Sequence, residues 1–380
     1  MAPIRTALIG LRSNSTRGAG WAALAHLPYL TQSPKYQIVA LLNSSKEAAE
    51  AAIKKHNLPG DTKAYGTPEE LAADDEVDLV VCCTRVDTHY VSLKPILERG
   101  KTPVLCEWPL GANLRETHEM TDAVGKSGVR NVVSVQGGFS PLVTTLKALI
   151  ADGKIGKVLS SNVTTSGMIG GPTTAADFTY SNERKIGGNM LTIMFGHLSE
   201  IIFNVLGDLG SFNSILHTKF PTATLVDPQN PLEVVGTQER TTPDELLLQG
   251  RLESGTFLSV HVRGGPPNRS AAVPDLVWRI YGEKGEITVS SPQPNIINTA
   301  QGITVELHDH ASHKVEKIET LSNELEHLPD PARNIARLYE AYADKTWYPD
   351  FKHALKRYQL IDEMYRRLDN GQQDIKPNYA

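Results

Sequence analysis

Between residue 4 and about residue 136 short apolar runs alternate with stretches of helical period, and this alternation constrains the fold more than any other feature. The runs at 4–9 and 36–42 are short and mostly apolar, and they read as the first two strands. Trp21, Leu24, Leu27 and Leu30 between them recur every three residues, which predicts a helix. Further strands are expected at 79–83, 103–107 and 132–136, with helical patterns at 90–98, 114–124 and 142–151. Strands separated by helices pair in parallel, because a tight hairpin cannot join parallel neighbours. The expectation is a doubly wound α/β sheet.

The pattern changes after Asp152-Gly153-Lys154-Ile155-Gly156. Strands are expected in quick succession at 158–164, 246–252, 257–262, 277–281, 286–289 and 303–307. Turn signals such as Glu253-Ser254-Gly255 and Gly282-Glu283-Lys284-Gly285 join them as hairpins, which predicts an α+β region with a large, mostly antiparallel open sheet. One helical element at 191–206 interrupts the run and is expected to cover one face. The last 50 residues return to helical period. The expected organisation is a Rossmann domain at 1–137, an antiparallel-sheet domain at 138–330, and C-terminal helices at 331–380 packing back on the first domain.

The formal charge of −5 is spread without a Lys/Arg block, which argues against direct nucleic-acid binding and against a polybasic membrane patch. No apolar run approaches the roughly 20 residues needed to cross a bilayer, and Met1 to Arg5 leads straight into a strand, so a cytoplasmic protein is expected. Cys82, Cys83 and Cys106 read as small buried hydrophobes in a reducing compartment. The histidines at 308, 310 and 313 fit a solvated turn, and no metal site is expected.

The first strand runs into Gly10-Leu11-Arg12 and on through Gly18 to Gly20-Trp21. A pyrophosphate needs a tight turn there that delivers backbone N–H groups and a helix N-terminus. The glycines permit close approach, although the loop is longer than a G-x-G-x-x-G turn. Asn43-Ser44-Ser45-Lys46 ends the second strand where an NAD site usually carries an acid for the ribose hydroxyls. With hydroxyls and a cation in its place, NADP is expected over NAD, with Ser44, Ser45 and Lys46 as phosphate contacts and Arg12 or Arg17 as helpers. The same residues also read as a helix N-cap, and the two roles are compatible.

Thr84 and His89, Glu107-Trp108-Pro109, Gln136-Gly137-Gly138-Phe139 and Gly187-Gly188 followed by Gly196-His197 then occur in order. Together they resemble the glucose–fructose oxidoreductase/inositol dehydrogenase (Gfo/Idh/MocA) family over essentially the whole chain. Within it, segments such as Pro243-Asp244-Glu245-Leu246 and Arg263-Gly264-Gly265-Pro266 are similar to a subgroup of fungal galactose-pathway repressors. The resemblance implies a nicotinamide cofactor, contacts from Thr84, His89, Glu107, Pro109 and Gln136, and a homo-oligomer formed through the second-domain sheet.

It also implies an unusual site. In such proteins a lysine follows the Glu of a Glu-Lys-Pro stretch, and an Asp and a His on the second-domain helix share the proton handling. The corresponding places here hold Trp108, Ile193 and His197. An indole exchanges no proton at accessible pH, so Trp108 can only stack, wall a pocket or pack as core. His197 is the remaining acid/base candidate, against a plain role as a hydrogen-bonded core residue. Tyr180 and Lys185 lie on the loop before this helix, where a solvated role competes with a catalytic one. Two readings follow: an NADP-dependent oxidoreductase of atypical site, acting on a small polar or cyclic carbonyl, alcohol or imine, and a non-catalytic NADP-binding regulator with a protein partner, which would also act in the nucleus.

Overall fold

The structure, a computed structural model, describes residues 2–13, 20–265, 273–294, 296–298, 302–320 and 325–373. The chain divides into two compact units. The first comprises Met1–Gln136, Lys185–Gly188 and Glu324–Gln359, and the second Gly137–Arg184, Asn189–Asn323 and Leu360–Ala380.

The first unit is built on six strands: β1 (Ile4–Ile9), β2 (Tyr36–Leu42), β3 (Lys63–Tyr65), β4 (Leu79–Cys82), β5 (Val104–Glu107) and β6 (Asn131–Ser134). They run in the order β3-β2-β1-β4-β5-β6, all parallel. The order reverses between β1 and β4, and the crevice at such a switch point is where open α/β sheets bind ligands. β4 and β5 are buried at every position, as expected for strands covered on both faces. The helices Val86–Arg99 and Leu114–Ser127 each end on a left-handed glycine, Gly100 and Gly128, whose missing Cβ permits that stop.

Several boundaries depart from the sequence reading. β6 ends at Ser134, and Gln136 opens a 3₁₀ turn, Gln136–Phe139. The helical stretch after Trp21 begins as a π-helical turn, Ala22–His26, and continues as Leu27–Gln32 with Pro28 in its first turn. The short strand β3 was not foreseen, because its three half-buried residues are too few to show a period.

The second unit carries β7 (Val158–Ser166), β8 (Thr173–Ala175), β9 (Leu209–His217), β10 (Thr222–Val226), β11 (Val234–Glu239), β12 (Glu245–Leu252), β13 (Phe257–Arg263), β14 (Leu276–Gly282), β15 (Gly285–Ser291), β16 (Thr304–Asp309) and β17 (Val315–Ile318). Eight form one sheet in the order β17-β16-β15-β14-β7-β13-β12-β9. It is antiparallel except where β7 meets β13. Residues alternate in burial along β13, β14 and β15, so one face is core and the other open. Trp278 anchors the core face, fully buried with its indole N–H donating to Ser161 Oγ at 2.9 Å.

A separate three-stranded sheet, β11-β10-β8, was not expected from the sequence, because its strands are short and none alternates apolar and polar residues over a long enough run. Its base is tied by the Arg240–Asp244 ion pair, whose side chains are fully buried. Arg240 donates to the carbonyl oxygens of Gly171 at 2.7 Å and Phe220 at 3.0 Å, while Asp244 accepts from the backbone N–H groups of Lys219 and Phe220. Each charge is thereby solvated by backbone dipoles instead of water. Replacing Asp244 by Ala strands a buried guanidinium and is expected to cost about 3–5 kcal/mol of stability. Urea denaturation followed by far-UV circular dichroism measures this, and a loss below about 1 kcal/mol would show that the pair is dispensable.

Candidate functional site

At the carboxyl ends of β1, β2 and β4 lies a cleft of about 690 Å³, walled by Gly10, Arg12, Ser13, Asn43, Ser44 and Thr84 among others. This volume is within the range of small-molecule and cofactor sites. Gly10 has φ +97°, and a Cβ on it would lie 2.9 Å from Thr84 Cγ2 and 3.0 Å from the Cys83 carbonyl oxygen. Only glycine makes this turn off β1 while letting β4 approach so closely. The Asn43 side-chain amide donates to the Leu11 carbonyl at 2.8 Å and so pins the start of the loop to the end of β2. The remaining loop residues 14–19, Arg17 and Gly18 among them, lie outside the described residues.

The expected contacts divide. Gly10, Arg12, Asn43, Ser44 and Thr84 all meet at the cleft. Ser45 instead caps the helix Lys46–Lys55, its hydroxyl accepting from Ala48 N at 3.2 Å, and Lys46 is exposed in that helix's first turn without walling the cleft. Leu11 is fully buried. The opposite wall, not anticipated, comes from Gly66 and Pro68 after β3 and from Arg85, Thr88 and Ser92 at the start of the helix Val86–Arg99. The Thr67-Pro68-Glu69-Glu70 capping box marks the first of these turns in the sequence, whereas nothing local shows that it faces β1. None of the described residues of the wall is acidic, and two are arginines.

Glu107 has a different occupation. Its buried carboxylate accepts from Trp21 Nε1 at 2.8 Å and from His26 Nε2 at 3.0 Å. The acceptor on one side sets the proton on Nε2, so His26 Nδ1 accepts from the Tyr339 hydroxyl at 2.8 Å. Tyr339 belongs to the helix Asp330–Ala343, and burial pushes its phenol well above the ordinary value. Trp21 follows Gly20 at the end of the loop after β1, so the carboxylate fastens this end of the loop to the end of β5.

Trp108 forms a cis peptide with Pro109, as the family resemblance implies, and is 5% exposed. Its ring centroid lies 6.1 Å from that of Tyr358 on the helix Phe351–Asp369. His89 bridges two backbone carbonyls, Nδ1 to Pro109 O and Nε2 to Thr84 O, each at 3.0 Å. Gln136 is buried at the end of the first unit.

In the second unit Asn189 caps the segment leading to His197, its Oδ1 accepting from Leu191 N and Thr192 N and from the Tyr365 hydroxyl. The π-helical turn Met190–Phe195 and the helix Gly196–Leu206 follow, and His197 is buried in the first turn of that helix. Tyr180 packs against Phe178 with ring centroids 4.5 Å apart and the rings tilted by 54°. Lys185, in the first unit, is exposed.

Residues 17–136 match the model of the oxidoreductase family with an NAD-binding Rossmann fold, GFO_IDH_MocA, and residues 141–291 match the Gal80p C-terminal domain. The chain belongs to the Gfo/Idh/MocA family and joins the family's nucleotide-binding fold to a Gal80p-like second half. It is 30% identical over 298 residues to the galactose/lactose metabolism regulatory protein GAL80 of Saccharomyces cerevisiae, over 75% of this chain and 66% of that protein. It is 27% identical to the dehydrogenase aclE of Aspergillus oryzae over 97% of both chains. The solved structure of a Saccharomyces Gal80p super-repressor mutant superimposes with a TM-score of 0.87, at 25% identity and 97% coverage of each chain. Among the described residues no helix is long and apolar enough to cross a membrane.

The Glu107 arrangement makes a sharp demand on stability. Glu107→Ala leaves the buried His26 donor and the half-buried Trp21 donor without their acceptor, and a loss of about 1–3 kcal/mol is expected in equilibrium urea unfolding. Glu107→Gln keeps one acceptor and is expected to lose less. Equal stability of the Ala variant and the parent protein would mean that the carboxylate does not hold the loop.

Proposed function

We propose that this chain is an NADP(H)-dependent oxidoreductase acting on a small polar or cyclic carbonyl, alcohol or imine through an active site that works without the family lysine. The observation that carries the cofactor assignment is the wall of the cleft: Arg12, Ser13, Asn43 and Ser44 stand at the ends of β1 and β2 with no carboxylate among the described residues. A ribose 2′-phosphate is a dianion at neutral pH, and an acid at this place would repel it. Arg12 offers a planar fork of donors, and Ser44 a hydroxyl, to that phosphate. The turn at Gly10 leaves the pyrophosphate room beside the backbone.

A bound nicotinamide ring supplies or accepts the hydride. The protein's part is then to hold the substrate and to move one proton at its oxygen or nitrogen. His197 is assigned that proton, since Trp108 exchanges none. Trp108 gives a rigid apolar wall, held in place by its packing beside Tyr358. Tyr180 and Lys185 are assigned to substrate contacts from the loop that precedes the His197 helix. The likeness to the aclE dehydrogenase, which spans nearly the whole of both chains, supports the enzymatic reading.

A second reading is favoured by one specific observation. Glu107 is committed to Trp21 and His26, and Trp108 is buried, so neither residue at the end of β5 offers an exchangeable proton to a substrate. Such a site would bind NADP as a signal, and the chain would act as a regulator through a protein partner, in line with its likeness to the GAL80 proteins.

Fluorescence titration with NADPH and NADH tests the cofactor. NADPH is expected to bind about 10- to 100-fold more tightly, the worth of one or two charge-assisted hydrogen bonds, and Ser44→Asp is expected to reverse the order. Equal affinities would sink the assignment. Turnover of reduced cofactor against sugars, keto acids and cyclic imines, read by absorbance, separates the two functional readings. In the enzyme, His197→Ala is expected to lower kcat by about 100- to 10,000-fold. Undiminished turnover in that variant would move the proton to another group, and tight binding without any turnover would favour the regulator.

A further inference from the structure

Below the cleft, β4 and β5 bring two cysteines side by side. Cys82 and Cys106 are register partners on these adjacent parallel strands, and both side chains are fully buried. His89, in the first turns of the helix Val86–Arg99, reaches the same spot. One donor atom from each of the three, two Sγ and an imidazole nitrogen, lies within 4.8 Å of the others. We propose that Cys82, Cys106 and His89 form a binding site for a thiophilic d¹⁰ cation of the Zn(II) class, independent of the dinucleotide.

Three features beyond proximity support it. The first is the state of His89, whose two ring nitrogens both face backbone carbonyls at 3.0 Å. An imidazole carrying one proton satisfies one of these carbonyls and turns a lone pair toward the other. A small rotation that brings the lone pair onto a cation relieves that repulsion, and the remaining N–H to a backbone carbonyl is the support that metal-bound histidines usually have. The second is the weak engagement of the sulfurs. Cys82 Sγ lies 3.6 Å from Thr84 Oγ1, and Cys106 Sγ 3.9 Å from the Leu110 carbonyl, so little has to be broken to turn either toward an ion. The third is charge. Two thiolates and a neutral imidazole balance a divalent ion, so the loaded site buries no net charge, and binding releases two thiol protons.

Bond lengths of about 2.3 Å to sulfur and 2.0 Å to nitrogen place neighbouring donors roughly 3.5–3.8 Å apart. From separations of at most 4.8 Å the three donors therefore have to close in by no more than about 1.3 Å, within the reach of side-chain torsions. Thr84 walls the nucleotide cleft and touches Cys82, which gives the ion a path and a hydroxyl or a water as fourth ligand.

Reduced, chelator-dialysed protein is titrated with Cd(II), followed by its ultraviolet thiolate-to-metal charge-transfer band. The expected result is saturation at one equivalent, with Zn(II) competing the band away. Cys82→Ser and Cys106→Ser should each remove half or more of the band, while Cys83→Ser should leave it. X-ray absorption of the Zn(II)-loaded parent protein, which needs no variant to fold, should show two sulfur neighbours and at least one nitrogen. The proposal is overturned if no band forms at stoichiometric Cd(II), if the band survives in both serine variants, or if zinc has only nitrogen and oxygen neighbours.

Discussion

One buried carboxylate organises the nucleotide-binding unit. Glu107 stands at the end of β5 and holds two donors from the exit of the nucleotide loop, the Trp21 indole and the His26 imidazole. His26 in turn receives the Tyr339 hydroxyl from a helix more than 300 residues away. A carboxylate out of water is tolerable only when donors surround it, and here those donors come from separate parts of the chain. Three elements that share no local sequence signal are thereby locked into one arrangement. Tyr29, Tyr36 and Tyr339 continue it, with Tyr29 stacked on Tyr339 and the Tyr36 hydroxyl donating to the Tyr339 carbonyl.

This arrangement changes what the end of β5 can do. A carboxylate saturated by indole and imidazole donors is a structural acceptor, and the adjoining indole packs beside Tyr358. The cleft lies instead around Gly10, Asn43, Ser44 and Thr84, where the sheet order reverses. Binding and support are thus separated. The cleft is walled by hydroxyl, amide and arginine residues, with the Arg85 guanidinium paired to Asp87, while Glu107 holds Trp21 after the loop.

The central strands were legible because burial on both faces forces continuous apolar runs, and the edges of β1 and β2 were read to the residue. The hairpin strands of the second unit were legible from alternation bounded by glycine turns. Strands β9, β10 and β11 were not, since their partly exposed faces relax the alternation that marks a buried strand. At the site, Gly10, Asn43 and Ser44 could be found from their place after strands. Arg85, Thr88 and Ser92 could not, because they enter the cleft only through the way a helix docks beside β4.

By itself the sequence determined the succession of strands and helices, the glycine turn off β1, and the absence of an acid after β2, all of which follow from local periodicity and residue chemistry. The tertiary structure decided which side chains are spent on support. That Glu107 is taken by Trp21 and His26, that Ser45 caps a helix while Ser44 walls the cleft, and that Cys82 meets Cys106 and His89 are outcomes of docking between distant segments. Hydrogen-bond partners and donor separations depend on positions in space, and residues 26 and 107, or 82 and 106, become neighbours only when the parallel sheet and its helices have assembled.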